Sequence, residues 1–599
     1  MNKDKIAVLD FGGQYAHLIA NRIRRLGVYT EILPPDTSFK SLKGFKGVIF
    51  SGGPHSVYED NVPFNKDILK FNKPILGLCY GHQLICHTLG GHVEASDKRE
   101  YGTAEIDILK KTSLLFGGLG LKEKVWMSHG DSVNKLPPGF EKTAGSRDCE
   151  FAAVEDSGKN IFGLQFHPEV FHTQNGNTIL DNFIKICSCK KTWNMRTYLE
   201  ELKESIKQKV GKRNVFLLVS GGVDSTVCFS LLNEILGENR VVGFHIDTGL
   251  MRKNETSEIS DYLAKAGFNN LRVIDASRTF LEKLDGVTDP EKKRKIMGDT
   301  FIQVQQQGVE NMGLDPELWM LGQGTIYPDT IESGGTKHAD KIKTHHNRVD
   351  IIEELIKQGK VIEPLAQLYK DEVRALGVSL KIPEHLVWRH PFPGPGLGVR
   401  ILCSNGKIDN NFNSINKKAS DIASISGLSL QVLPIRSVGV QGDSRTYAHP
   451  ALLTGEAEWD SLEKVSTEVT NNIREINRVI YQIAPKIQVN FKLHELCITK
   501  ERIALLQEAD VQIHDLIRDL GFYRKIWQMP VALLPLCDNK NSECLVMRPV
   551  HSQEAMTASF FPLPMQELRE FGNKLLKDLP VAALFYDITH KPPGTIEWE

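Results

Sequence analysis

The sequence predicts an α/β protein in which two doubly wound α/β domains are followed by an α+β domain carrying the signs of an internal repeat. Three observations point there. Short β-branched or apolar runs alternate with helix-period patterns twice, over residues 5 to about 185 and again from Val215 to Leu321, the alternation that builds a sheet covered by helices. Each alternation contains a strand, a glycine turn and a helix start with reactive side chains at the turn: Gly77 to Gln83 in the first, Ser220 to Ser225 in the second. The stretch Arg389-His390-Pro391-Phe392-Pro393-Gly394-Pro395-Gly396-Leu397-Gly398 then suits neither a helix nor an interior strand, so the pattern breaks near residue 400. A chain of 599 residues exceeds a single core, and about 150 residues per domain implies three or four domains. The boundaries read as 1–190, 195–400 and 401–599.

In chain order, Ile6–Leu9, Gly47–Phe50, Ile75–Leu78 and Ile161–Gln165 read as strands, with helical patterns at Ala16–Leu26 and His82–Leu89 between them. The charged helical segment Thr197–Lys209 separates this set from the strands Val215–Val219, Val241–Ile246, Leu271–Ile274 and Trp319–Leu321. Beyond residue 400, a strand near Val438 leads to the helical pattern Leu462–Asn477 and the strand Arg478–Ile483. Later, Cys544–Pro549 leads to the helix Pro564–Leu576 and the strand Ala582–Ile588. The matching order has two readings: a repeat packing on itself as two chains of a dimer do, or two unrelated α/β hairpins.

The 73 basic and 74 acidic residues leave a net charge of −1. No global field therefore favours nucleic acid or an anionic membrane, and an anionic ligand has to be held locally. No apolar run approaches the roughly 18–20 residues of a membrane span, and the ten cysteines follow no disulfide framework. The expectation is a cytoplasmic protein with reduced thiols. Cys187-Ser188-Cys189 is the one close cysteine pair and lacks the second pair of ligands a structural zinc site needs.

Ser220-Gly221-Gly222-Val223-Asp224-Ser225 follows an apolar strand and opens a helix. Its glycines let the backbone approach an anion, and the N–H groups of the first helical turn point at it. It lacks the Gly-Lys-Ser/Thr of a Walker loop; Ser220, Asp224 and Ser225 offer hydroxyls and a carboxylate suited to pyrophosphate and Mg²⁺ instead. The loop resembles the PP-loop of ATP pyrophosphatases, which activate a substrate oxygen as its adenylate and release pyrophosphate. That resemblance implies ATP binding by Ser220, Gly221, Gly222, Val223, Asp224, Ser225 and Thr226, with Asp224 toward Mg²⁺.

Gly77-Leu78-Cys79-Tyr80-Gly81-His82-Gln83 sets a cysteine between glycines at a strand-to-helix turn, the geometry of a nucleophile elbow. There the thiol is exposed at the sheet's carboxyl edge, and the helix N-terminus favours a thiolate. Downstream, Gln165-Phe166-His167-Pro168-Glu169 ends a strand with an imidazole and a carboxylate at i and i+2, on one face of an extended segment. His167 can then take a proton from Cys79 while Glu169 orients the ring. With the turn Ser51-Gly52-Gly53-Pro54, the set resembles class I glutamine amidotransferases over residues 5 to about 185. The resemblance implies that Cys79 attacks the side-chain amide of glutamine, that Gly53 and Tyr80 donate N–H groups to the oxyanion, and that Gln83 and Ser128-His129-Gly130-Asp131 position the substrate.

An ammonia source beside an adenylating loop implies amination of an activated carbonyl. His245 to Arg252, Glu291 to Asp299, Gly322 to Asp329, Ile342 to Asn347, Arg436 to Asp443 and the tail Lys591 to Glu599 resemble, in order, the glutamine-hydrolysing GMP synthetase family. From that resemblance XMP is the acceptor, with Arg294, Asp443, Gln528, Lys591, Ile596 and Glu597 as its contacts. It further implies that Lys343 to Asn347 belong to a lid, that Asp329 assists the metal or substrate, and that residues 401–599 form a dimerisation domain. The chain carries extra sequence at roughly 484–580, as in the longer form of the family, which leaves monomer and homodimer both open. Two rival readings fit the sequence less well. NAD synthetase shares the PP-loop but pairs it with a different amidase and lacks this tail, and a regulatory protein with idle sites would not need Cys79, His167 and Glu169 together.

Overall fold

The computed structural model describes residues 4–599 apart from 13–14, 59–61, 171, 316, 331–354, 356–357, 409–411, 425–426, 442–443, 488 and 553–557. The expected lid Lys343 to Asn347 and the expected XMP contact Asp443 lie outside the described residues. The chain folds into two units. The first takes in Met1–Glu204, Thr325–Thr344 and Ala366–Glu372; the second takes in Ser205–Gly324, His345–Leu365 and Val373–Glu599. Two short segments of the expected second domain thus belong to the first unit.

The first unit is built on a nine-stranded sheet. Its strands are β1 (Lys5–Leu9), β2 (Tyr29–Leu33), β3 (Gly47–Phe50), β4 (Ile75–Leu78), β5 (His92–Ile108), β6 (Lys122–Lys135), β7 (Glu141–Gly145), β8 (Ala153–Asp156) and β9 (Ile161–Leu164), in the order β2-β1-β3-β4-β9-β8-β7-β5-β6. From β2 to β9 all pairs are parallel; β8, β7, β5 and β6 add antiparallel strands. The expectation of a doubly wound sheet therefore covers only the parallel part. Alternation along β1 sends Ile6 and Val8 into one hydrophobic layer and Ala7 and Leu9 into the other, so both faces are covered. Helices α1 (Ala16–Arg25), α2 (Tyr80–Thr88) and α3 (Gly176–Ile186) pack on this frame. Ile19, Ala20 and Ile23 form the buried stripe of α1.

Arg24, also on α1, is buried and pairs with Glu372 at 3.2 Å. Its guanidinium carbon lies 4.7 Å from the Tyr29 ring centroid, 5.0 Å from Tyr327, 5.1 Å from Tyr369 and 5.4 Å from Trp193. Trp193 Nε1 donates to Glu372 Oε1 at 2.7 Å, so this buried charge has both a counter-ion and aromatic faces.

Helix α4 (Met195–Val210) leads into the second unit. There β10 (Asn214–Leu218), β11 (Val241–Asp247), β12 (Leu271–Asp275), β13 (Trp319–Gly322) and β14 (Val361–Ile362) form an all-parallel sheet in the order β12-β11-β10-β13-β14. Helices α5 (Val223–Leu236), α6 (Glu255–Lys265), α7 (Ser277–Leu284) and α8 (Pro290–Glu310) connect the strands.

After the short β15 (Ser404–Asn405), a second sheet runs through β16 (Ser429–Val432), β17 (Ser437–Gln441), β18 (Ser444–Thr454), β19 (Ile476–Ala484), β20 (Lys492–Leu493), β22 (Val531–Cys537), β23 (Glu543–Met547) and β26 (Val581–Asp587). Strands β21 (Glu495–Leu496), β24 (Val550–His551) and β25 (Ser559–Phe560) lie outside it. Its order is β16-β18-β19-β26-β23-β22-β20, with β17 on β18. Read outward from the antiparallel β19–β26 pair, each side is first parallel (β19–β18, β26–β23) and then antiparallel (β18–β16, β23–β22). The helix expected to reach Asn477 ends at Asn472, because Ile476 and Asn477 have entered β19. One hydrophobic core joins Leu250 and Met297 through Leu397, Val399 and Ile401 to Val479 and Leu584, so residue 400 lies inside it. Among the described residues, no helix is long and apolar enough to cross a membrane.

Candidate active sites

Strand β4 ends at Leu78, Cys79 follows with a φ of 49° and ψ of −107° that mark a strained turn, and α2 begins at Tyr80. A non-glycine residue held at positive φ costs on the order of 1–3 kcal/mol and persists only where the surroundings enforce it. The flanking glycines are part of that enforcement. A Cβ on Gly81 would stand 2.5 Å from the Phe50 carbonyl oxygen, and one on Gly77 would stand 2.6 Å from the Gly81 oxygen.

His167 follows β9, and its Nδ1 lies 2.7 Å from Glu169 Oε1, with both side chains buried. The carboxylate therefore fixes the ring, leaving Nε2 for the thiol, and Cys79 is near enough to add to the pull on the imidazole proton. Burial pushes His167 down, but Glu169 and Cys79 outweigh it and hold the imidazolium up to about 10. The backbone is pinned as well: Thr173 Oγ1 donates to the His167 carbonyl at 2.6 Å, and Arg22 Nε donates to the Glu169 carbonyl at 3.0 Å. The Tyr15 ring centroid lies 4.8 Å from that of His167.

Because this folded-state pKa exceeds the unfolded value near 6.5, the stabilisation is complete below about pH 6.5 and is lost as pH rises toward about 10. The melting temperature of the parent protein should therefore exceed that of His167→Gln most at pH 6, and the gap should close by pH 10. A gap independent of pH would sink this assignment.

Cys79 Sγ donates to the Ser128 carbonyl at 3.4 Å, and Gln165 Nε2 reaches the sulfur at 3.7 Å. Gln83 Nε2 donates to the Asp131 carbonyl at 2.8 Å and to Gln165 Oε1 at 3.2 Å. Gln83 thus connects the Ser128–Asp131 stretch to the residue beside the nucleophile. The turn at Gly52 and Gly53 comes to the same place. A Cβ on Gly52 would meet His167 Cε1 at 3.0 Å, and one on Gly53 would meet the Phe11 carbonyl oxygen at 2.7 Å and the Tyr80 ring at 3.4 Å. Tyr80 lies in the first turn of α2, where N–H groups have no acceptor within the helix. The structure thus brings together Cys79, His167, Glu169, Gly53, Tyr80 and Gln83. Gln165 was legible only as part of the His167 motif, and Thr173 and Arg22 carried no sequence signal.

In the second unit, β10 leads to the Ser220–Ser225 turn and α5 starts at Val223 with Gly222 as its N-cap. Gly221 has a φ of +83°, and a Cβ there would meet Ile259 at 2.7 Å. The Ser220 and Ser225 hydroxyls lie 3.0 Å apart, Ser225 Oγ accepts from Ser220 N at 3.1 Å, and Asp224 stands in the first turn of α5. Val223 and Thr226 are buried beneath the turn. Arg389 donates to the Gly221 carbonyl at 3.1 Å and to Glu255 Oε1 at 2.7 Å. The proline-rich stretch at which the sequence pattern breaks therefore starts by holding this turn.

Just beyond that stretch, Arg400 grips Glu597 with two hydrogen bonds of 3.0 and 2.9 Å. Gln528 Nε2 donates to the same carboxylate at 2.8 Å. Trp598 and Glu599 are buried, and Glu599 pairs with the buried Lys293. Burial raises Glu599, opposed by Lys293 and also by the charge of Arg294; Arg294 itself pairs with Glu291 at 2.9 Å. Lys591 is half-buried, and burial followed by Arg548 lowers its pKa. Ile596 is partly buried. Beneath the tail, Arg478 and Arg548 share Asp587 at 2.8 and 2.6 Å, all three fully buried. Arg478 also donates to the Thr595 and Glu597 carbonyls at 2.8 and 2.6 Å, and burial pushes it down to about 10. Of the expected XMP contacts, Gln528 and Glu597 thus meet directly, and Arg400, Arg478, Arg548 and Lys293 are the supports of the tail that sequence reading missed.

Residues 7–187 match the model of the class-I glutamine amidotransferase family, and residues 414–489 and 515–598 match that of the GMP synthase C-terminal domain. A Leptospira interrogans protein named "Probable GMP synthase, glutamine-hydrolyzing" is 49% identical over 607 residues, covering 99% of each chain. GMP synthases, glutamine-hydrolyzing, of Brachyspira hyodysenteriae and Lactobacillus johnsonii are 42% and 43% identical, covering 81% of this chain and 98% and 97% of theirs.

Proposed function

Because the chain belongs to the family of glutamine-hydrolysing GMP synthases, we propose that it is an ATP-dependent carbon–nitrogen ligase that makes GMP from XMP using the amide nitrogen of glutamine. The observation that carries this reading is the end-to-end match to the Leptospira protein, 49% identical over 99% of both chains. The labour divides along the chain: residues 1–190 release ammonia, 195–400 bind ATP, and 401–599 complete the XMP site.

With its proton on His167 Nε2, Cys79 Sγ attacks the glutamine amide carbon, and N–H groups of Gly53 and Tyr80 receive the oxyanion. His167 gives its Nε2 proton to the departing nitrogen, ammonia leaves, and a glutamyl thioester remains. His167, held by Glu169, then takes a proton from water as the water attacks the thioester; glutamate departs and the proton returns to sulfur. In the second unit, the Ser220–Thr226 turn and the N-terminus of α5 hold the pyrophosphate of ATP while the XMP carbonyl oxygen takes the adenylyl group. Ammonia displaces AMP to give GMP. Arg294, Asp443, Gln528, Lys591, Ile596 and Glu597 contact XMP in this reading. Glu597 is oriented for that role by Arg400 and Gln528. One carboxylate with neighbouring hydroxyls suits Mg²⁺ held mostly through phosphate oxygens. Asp224 would hold that ion, which would neutralise charge on the departing pyrophosphate.

The pairing pattern around β19–β26 and the two matched stretches of the C-terminal family support an internal duplication. In this reading one chain supplies both halves of the contact a dimer would make, and the enzyme is a monomer. Purified protein with XMP, ATP, Mg²⁺ and glutamine should form GMP and pyrophosphate in equal amounts, and light scattering of the same sample should give the mass of one chain. Pyrophosphate without dependence on XMP would overturn the acceptor, and a two-chain mass would overturn the monomer.

A further inference from the structure

We infer that Glu100, His129 and Cys149 form a binding site for a divalent transition ion of the zinc class, placed so that occupancy arrests glutamine hydrolysis. Glu100 and His129 are cross-strand neighbours on β5 and β6, and Cys149 comes from the turn between β7 and β8. One donor atom from each, a carboxylate oxygen, an imidazole nitrogen and a thiol sulfur, lies within 4.8 Å of the others. His129 and Cys149 are buried.

The orientation of His129 gives the cluster its character. Its Nδ1 lies 3.0 Å from the Asp131 carbonyl, which only accepts, so Nδ1 carries a proton and the ring in its neutral form presents a lone pair at Nε2. That lone pair faces Glu100 Oε2 at 3.1 Å, and the nitrogen is buried. Two acceptors at that distance call for a cation between them, either a proton or a metal. A ring nitrogen fixed by a carbonyl behind it is how proteins commonly present histidine to a metal. Cys149 is held facing the pair by its own turn: its N–H donates to Ser146 Oγ at 2.9 Å, and its carbonyl accepts from Ser146 N at 2.8 Å. Donors about 2.0–2.3 Å from a tetrahedral ion stand about 3.2–3.8 Å apart, so modest closure suffices. Mixed nitrogen, oxygen and sulfur donors select Zn²⁺ or Co²⁺ over Mg²⁺ or Ca²⁺. On binding, the Cys149 thiol proton passes to solvent and no electron moves.

The inhibitory consequence rests on the glutaminase reading above; occupancy does not. Ser128, adjacent to His129, offers its carbonyl to Cys79, and the Asp131 carbonyl that holds His129 also holds Gln83. An ion drawing His129 toward Glu100 and Cys149 shifts both supports of the nucleophile.

The test is a Co²⁺ titration of full-length Cys79→Ala protein, in which the nucleophile cannot be the ligand, following the thiolate-to-cobalt charge-transfer band. The expected result is one ion per chain, displaced by Zn²⁺, with the band lost in Cys79→Ala/Cys149→Ser and affinity at least tenfold weaker in Cys79→Ala/Glu100→Gln. The absence of a band, or a band that survives Cys149→Ser, would overturn the site. In the parent enzyme, Zn²⁺ should slow glutamine-dependent synthesis at least tenfold and leave ammonium-dependent synthesis unchanged. Full glutamine-dependent activity with the site occupied would overturn its inhibitory role while leaving occupancy established.

Discussion

Cys79→Ala protein is expected to lose glutamine-dependent GMP formation by roughly 10³-fold or more, while synthesis from added ammonium salts stays within about twofold of the parent. The asymmetry follows from the fold. Cys79, His167 and Glu169 belong to the first unit and share its sheet edge, whereas the Ser220–Ser225 turn and the tail belong to the second. Removing the sulfur deletes the atom proposed to carry the glutamyl group but leaves the 2.7 Å His167–Glu169 contact and the backbone of the elbow in place. Steady-state rates with each nitrogen source decide the matter. Equal loss of both activities would mean that the two units do not divide the reaction as proposed. Retained glutamine use would mean that the nucleophile lies elsewhere.

The largest loss of stability is expected from Asp587→Ala. Asp587 is the shared counter-ion of Arg478 and Arg548 at zero exposure, so its removal strands two guanidinium charges in the core. Breaking one buried pair in this way costs about 3–5 kcal/mol, and two arginines share this carboxylate. The damage should reach the substrate site, since Arg478 holds the Thr595 and Glu597 carbonyls and Glu597 is proposed to read XMP. Urea unfolding should show the second unit melting at markedly lower denaturant, with the KM for XMP raised more than that for glutamine. Should the variant fail to fold, Arg478→Met supplies the check: Asp587 keeps Arg548, so the protein should fold while the KM for XMP still rises. A parent-like urea midpoint for Asp587→Ala, or a parent-like KM for Arg478→Met, would refute the role given to this cluster.

Sequence legibility followed the range of the interactions concerned. The elbow at Cys79 and the turn at Ser220 were readable because each is a local conformation, a strand running into a helix through glycines. His167 and Glu169 were readable because an extended backbone sets i and i+2 on one face. Strands β5 and β6 were missed: long, charged and partly exposed, they alternate without the apolar runs that mark buried strands. The proline-rich stretch was legible as an interruption, but not as the segment leading from Arg389 at the Ser220–Ser225 turn toward Arg400 at the tail.

The sequence by itself determined the two strand-turn-helix sites, the reactive side chains at them and, through its motifs, the kinship of the chain. Only the tertiary structure decided which distant charges meet. Asp587 finds Arg478 because β26 pairs with β19, and it finds Arg548 at the end of β23, the other neighbour of β26. Glu100 meets His129 because β5 registers against β6 with an irregularity between Ala95 and Glu100. A local pattern is written in backbone preference and period, whereas the choice of partners across a sheet is set by strand order and register, which depend on how the whole core packs.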